Sequence, residues 1–169
     1  MNSIFGPDRM GLLVSWEIGP NVAGRFEVEA KRDRAEFIEA EHMLLALAAD
    51  REGDAAKVLK ESGLDHGKLA SALQEEHRRT LAFAGMSAPS KELVEATTLE
   101  SSLTFGTSAK TAFRRALMAS RGDHPRRPRL RGTDLLVGIL QAELGTVPRA
   151  LAIAGVDRAA LLSTTRRSE

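Results

Sequence analysis

The sequence predicts an all-α protein of two tandem four-helix repeats packed about a pseudo-two-fold axis, behind a short N-terminal extension. Three observations lead there. Phe37–Leu47 (FIEAEHMLLAL) is echoed by Thr133–Leu140 (TDLLVGIL): with Ala46 set on Gly138, Leu44 falls on Leu136, Leu45 on Val137 and Leu47 on Ile139. The same offset of 92 residues carries Leu59 to Leu151, Gly63 to Gly155, Asp65 to Asp157 and Leu69 to Leu161 without a gap, which marks an internal repeat. Ala and Leu abound while aromatics are scarce (six Phe, one Trp, no Tyr), a composition suited to helices packed through aliphatic side chains.

Residues 1–17 form the extension, in which Leu12–Trp16, bracketed by Gly11, Gly19 and Pro20, read as an arm or short strand. Residues 18–83 are the first repeat, 84–103 a Ser-, Thr- and Pro-containing linker, and 104–169 the second repeat. Pro20 suits the first turn of a helix, and Val22, Phe26 and Ala30 recur at helical spacing with Arg25, Glu29 and Arg32 between them, giving a helix over Pro20–Arg34. The second helix spans Glu39–Ala49 and the third Ala55–Ser62. At Ser62-Gly63-Leu64-Asp65 the glycine supplies a left-handed residue, Leu64 folds back on the last turn, and Asp65 accepts from the next helix. Ala154-Gly155-Val156-Asp157 repeats every one of those roles. The fourth helix turns Leu69 and Leu73 inward, with His77 and Leu81 continuing the stripe. The second set covers Ser108–Arg121, Asp134–Glu143, Val147–Ala154 and Ala159–Arg166, and the prolines of Gly122–Gly132 make that stretch a loop.

Several function classes find no support. Charged residues are 28% of the chain but net charge is +1, so no global field draws it to nucleic acid or membrane, and no apolar run nears the ~18 residues that span a bilayer. The start lacks a secretory signal pattern, and a cytoplasmic location is expected. Without cysteine there are no disulfides, thiolate metal sites or thiol catalysis. Phosphate-loop, dinucleotide and serine-hydrolase motifs are missing. Glu41 and His42 are adjacent and point apart on a helix, and His66, His77 and His124 lack partners at ligand spacing. No catalytic residue, metal or cofactor is expected. The basic run Arg126, Arg127, Arg129 and Arg131, without interleaved aromatics, reads as a solvated loop or a contact for an acidic partner.

These residues resemble the Clp N-terminal domain, the double-repeat helical module at the front of Clp-type AAA+ unfoldases. EFIEAEHMLLALAAD with AAKVLKESGLD, LTFGTSAKTAFRRAL, and LLVGILQ with RALAIAGVD carry the resemblance over about residues 18–166. It implies a non-enzymatic recognition module without the motor, of bacterial type. Such a module binds peptides, degradation tags, adaptors or small ligands as adaptor, decoy or sequestering partner of a Clp chaperone–protease system. Glu41 matches the acid that in some members contacts the guanidinium of phosphorylated arginine; its repeat partner is Thr133, which speaks against a symmetrical pair of sites. Phe105 and Lys110 match residues of the groove that takes hydrophobic peptides and cyclic-peptide antibiotics, one as apolar wall and one as polar edge. The plain alternatives are core packing for Phe105 and a solvated side chain for Lys110. The alternative function is a structural or regulatory interaction protein whose groove is covered by its own N-terminal arm.

Overall fold

The computed structural model of the chain describes residues 18, 20–86, 103–123 and 130–168. Its elements are α1 (Pro20–Arg32), β1 (Phe37–Ile38), α2 (Ala40–Ala49), α3 (Asp54–Glu61), α4 (His66–Phe83), β2 (Thr104–Phe105), α5 (Thr107–Asp123), α6 (Gly132–Leu140), α7 (Thr146–Ile153) and α8 (Arg158–Arg167). Among the described residues the fold is all-α apart from one two-residue parallel pairing, Phe37 with Thr104 and Ile38 with Phe105. The Leu12–Trp16 arm and Arg126, Arg127, Arg129 and His124 lie outside the described residues.

The repeat offset is visible in the fold: α2, α3 and α4 begin at Ala40, Asp54 and His66, and α6, α7 and α8 at Gly132, Thr146 and Arg158. Both helical corners have the expected chemistry. Gly63 (φ 75°) and Gly155 (φ 74°) are left-handed. Leu64 N–H donates to Leu59 O (2.9 Å) and Val156 N–H to Leu151 O (3.0 Å), closing the preceding helices. Asp65 Oδ1 accepts from Lys68 N–H (2.7 Å), and Asp157 Oδ1 from Ala159 N–H (2.8 Å), capping the following ones.

The core is built on the two repeated hairpin helices. Met43, Leu44, Leu135, Leu136, Ile139 and Leu140 are fully buried, together with Phe26 from α1 and Phe113 from α5. Each such side chain contributes about 1.5–3 kcal/mol of burial. Gly138 lets α5 and α6 approach closely: a Cβ there would strike Ala112 O and lie 2.8 Å from Ala116 N.

Four expectations need correction. α1 stops at Arg32 rather than Arg34, because Arg34 adopts a left-handed φ of 55° and Ala35 N–H turns back to Ala30 O (2.9 Å). The helix expected over Asp134–Glu143 runs over Gly132–Leu140. Its start moves upstream because Asp134 Oδ2 accepts from Arg131 N–H (2.6 Å), and at its end Arg158 Nη1 donates to Leu140 O (2.6 Å). His77 is exposed, and Glu76 takes the inward place on α4. Glu29, expected between the apolar positions of α1, is buried and bonds Arg32 Nη1 (3.0 Å) and His66 Nε2 (3.2 Å).

Candidate binding cleft

Helices α2 and α5 begin side by side, and each caps the other. Glu39 Oε2 accepts from Ser108 N–H (3.0 Å) and Ser108 Oγ (2.5 Å), while Ser108 Oγ accepts from Ala40 N–H (2.8 Å). A carboxylate therefore sits against two positive helix ends, a favourable placement. Gly106 belongs to this joint: any Cβ on it would collide with the Glu39 carboxylate. One residue on, the EH pair divides its work. His42 is 2% exposed. Its Nδ1 accepts from Glu39 N–H (2.9 Å), leaving Nε2 to carry the proton towards Asp33 Oδ2 at 3.4 Å. His42 is a fixture of the helix start, and Glu41 beside it is partly buried.

Beside this joint opens a cleft of about 760 Å³, walled by the first turn of α2, the first half of α5 and the α6–α7 turn. That is room for an amino-acid-sized ligand or a short peptide. Glu39, Glu41 and Glu143 bring carboxylates, Arg115 a guanidinium, Ser108, Thr111, Gln141 and Thr146 neutral polar groups. Ala40, Ala112, Ile139 and Val147 supply an apolar floor. Burial pushes the Glu41 carboxyl above its ordinary value; a backbone hydrogen bond and His42 oppose this, while Glu39 and Asp33 push the same way. A carboxylate held above its ordinary pKa is one whose charge a bound cation would relieve.

The offset of 92 residues maps this cleft onto a second place, where Leu47, Gly53, Asp54, Ala55 and Gly132 stand for Ile139, Gly145, Thr146, Val147 and Ala40. There the space is about 100 Å³. Ile18 and Val22 of the first repeat fill its wall, and Arg25 ties α1 to the α2–α3 turn through Asp50 (2.9 Å). Thr133, the counterpart of Glu41, is 1% exposed, and its Oγ1 has no hydrogen-bond partner among the described residues.

Of the sequence candidates among the described residues, Glu41 alone lines the open cleft. Phe105 is 6% exposed, its ring edge-on to Phe26 with centroids 6.5 Å apart, so little of it is left for a ligand. Lys110 is half-buried on α5, away from the cleft walls. Arg131 is exposed at the start of α6. Sequence reading did not find Arg115, Gln141 or Glu143, which carry no motif and meet Glu41 only through tertiary packing. Among the described residues no group of acids and histidines could hold a metal ion, and no helix is long and apolar enough to cross a membrane.

Comparison with known proteins agrees with this architecture. No curated protein matches the chain. The N-terminal domain of the caseinolytic protease associated chaperone ClpD from Arabidopsis thaliana superposes with a TM-score of 0.62 at 19% identity, over 86% of this chain and 88% of that one. A chain from structural investigations of a malarial protein secretion system gives 0.57 at 17% identity, over 87% and 88%. At such identities the likeness is one of fold. The family model described as "Clp repeat (R) N-terminal domain" matches residues 26–124, more than half of the chain. The chain therefore belongs to the Clp repeat N-terminal domain family.

Proposed function

We propose that this protein is a non-enzymatic recognition module of a Clp chaperone–protease system, acting as adaptor, decoy or sequestering partner, with the Glu41 cleft as its ligand site. The observation that carries this reading is the cleft itself: open at Glu41, and nearly filled at its repeat counterpart. Its ligand joins a cation to an anion. Glu41 and Glu143 attract the cationic part, Arg115 the anionic part, and the apolar floor takes the connecting chain. Phosphoarginine, or a peptide carrying it, has this chemistry. Lys110 is proposed as a polar edge for a longer ligand that reaches along α5, with Phe105 beneath it. Arg126, Arg127, Arg129 and Arg131 are proposed as the contact for an acidic surface of the unfoldase or its substrates.

Titration calorimetry with phosphoarginine tests the site. Saturable binding that falls at least about tenfold in Glu41→Gln supports it; no heat, or equal affinity in the variant, removes it. Pull-down with a Clp unfoldase tests the partner. A second reading, in which the N-terminal arm covers a groove, draws on Ile18, which already walls the closed counterpart. Binding that emerges only when residues 1–17 are deleted would favour it.

A further inference from the structure

Further along α7, a groove of about 650 Å³ runs between α7 and α4, sharing no lining residue with the Glu41 cleft. Its walls combine Phe83, Ala152 and Ile153 with two arginines, Arg79 and Arg149. Phe83 is 97% exposed. It is nonetheless held on regular helix: Gly85 (φ 71°) ends α4, and Met86 N–H closes onto Leu81 O (2.9 Å) just beyond it. A large apolar ring fixed in solvent at the mouth of a groove is a surface in want of a partner.

The charges say what kind. Arg149 Nε donates to Glu76 Oε1 (2.6 Å), and Arg79 Nε to Glu75 Oε1 (2.6 Å). Both arginines are thus anchored through Nε, and among the described residues their terminal nitrogens meet no partner. The acids are the withdrawn members of these pairs: side-chain exposure is 5% for Glu76 against 56% for Arg149, and 31% for Glu75 against 62% for Arg79. The groove therefore presents two guanidinium forks flanking an apolar wall; Glu76 also lines it but is almost fully buried beneath Arg149 and Thr80, so the arginines are the more exposed charges. Such forks pair bidentately with carboxylates.

From this geometry we infer that the α4–α7 groove is a second docking site, for a protein segment in which a bulky apolar side chain lies beside a carboxylate. The apolar side chain stacks between Phe83 and Ile153, and the carboxylate meets the free ends of Arg79 and Arg149. In the first repeat Lys57, the counterpart of Arg149, turns instead to Asp54 on its own helix (3.0 Å).

The test is fluorescence anisotropy of the full chain with a fluorescein-labelled dodecapeptide of repeated Gly-Leu-Asp. Control peptides replace Asp by Lys or Leu by Ser. Saturable binding of the first peptide alone is expected, weakened about tenfold or more by Phe83→Ser and by Arg79→Glu. Both positions are exposed, and circular dichroism checks that the variants stay folded. Excess phosphoarginine should leave the peptide bound. Absence of binding, indifference to both substitutions, equal binding of the Lys peptide, or displacement by phosphoarginine would each overturn the assignment. So would a dimer in sedimentation that Phe83→Ser dissolves, which would make a second copy of this chain the occupant.

Discussion

The open cleft at Glu41 and its closed counterpart at Gly132 are made by the same turns of the same repeat, yet one holds about 760 Å³ and the other about 100 Å³. Three local differences account for this. Repeat one puts the aliphatic Ile18 and Val22 where repeat two has Lys110 and Arg114, so apolar bulk fills one space and not the other. Arg25 and Asp50 clamp the first turn against α1, while their counterparts Leu117 and Ala142 cannot form an ion pair. At the acid position, Glu41 stands at the cleft wall and Thr133 is buried. The same repeat geometry thus carries an open cleft in one copy and packing in the other. The open cleft is also the one with a cost attached, a carboxylate whose burial disfavours its charge.

Four experiments break or sharpen this contrast, in falling order of expected effect. The largest concerns the helix crossing that supports the open cleft. Gly138→Val would drive a branched side chain into Ala112 O and Ala116 of α5, and should cost about 3 kcal/mol in chemical denaturation. Its counterpart Ala46 already carries a Cβ, so Ala46→Gly should cost only about 1 kcal/mol. Similar losses at both positions would mean that the two crossings are packed alike.

Next comes the contact across the repeats. Arg149→Ala strips buried Glu76 of its ion pair and leaves it Thr80 Oγ1 (2.8 Å). Because Arg149 is half in solvent, the expected loss is about 1–2 kcal/mol, well short of that for a fully buried pair. The matching substitution Lys57→Ala, at an exposed pair, should be close to neutral by the same measurement.

The clamp on the closed site is weaker. Arg25→Ala should cost about 0.5 kcal/mol, since both partners are partly exposed, and should loosen the α2–α3 turn in hydrogen exchange. Unchanged exchange at Asp50–Gly53 would remove the ion pair from the explanation.

The smallest effect is electrostatic. Burial raises the folded-state pKa of Glu41, so between its unfolded and folded values the native protein holds more protons than the unfolded chain. Stability therefore falls as pH rises through that window. Glu41→Gln should raise the denaturation midpoint slightly at pH 7, and the gain should vanish below the ordinary carboxylate range. Binding of a cationic ligand at Glu41 should weaken as pH drops through the folded value. A variant less stable than wild type at pH 7 would contradict the burial argument.

Much of the fold was legible because it rests on local chemistry. The Gly63 and Gly155 corners and the Asp65 and Asp157 caps each need only a few neighbouring residues, and their recurrence at one offset made the repeat readable. The β1–β2 pairing was not legible, because two residues per strand leave no periodicity to read. Asp134 hid its role for another reason. It does for α6 what His42 does for α2, accepting the backbone N–H three residues upstream, but with a different side chain. Of the cleft, Glu41 was found through its motif. Its setting was not: Ser108 reaches Glu39 across 69 residues of sequence, and Arg115 and Glu143 arrive from other elements. Phe105 is a motif residue that packs against Phe26 in the core, the plain alternative that its sequence position left open.

The most direct measurement is amide NMR during titration with phosphoarginine, read at repeat-equivalent positions. One site per chain predicts saturable shifts at Ala40, Glu41 and Gly145, with Gly132, Thr133 and Gly53 unmoved. Equal shifts in both sets would mean that two working sites persist and that the closed counterpart opens in solution, contradicting the asymmetry on which the functional reading depends.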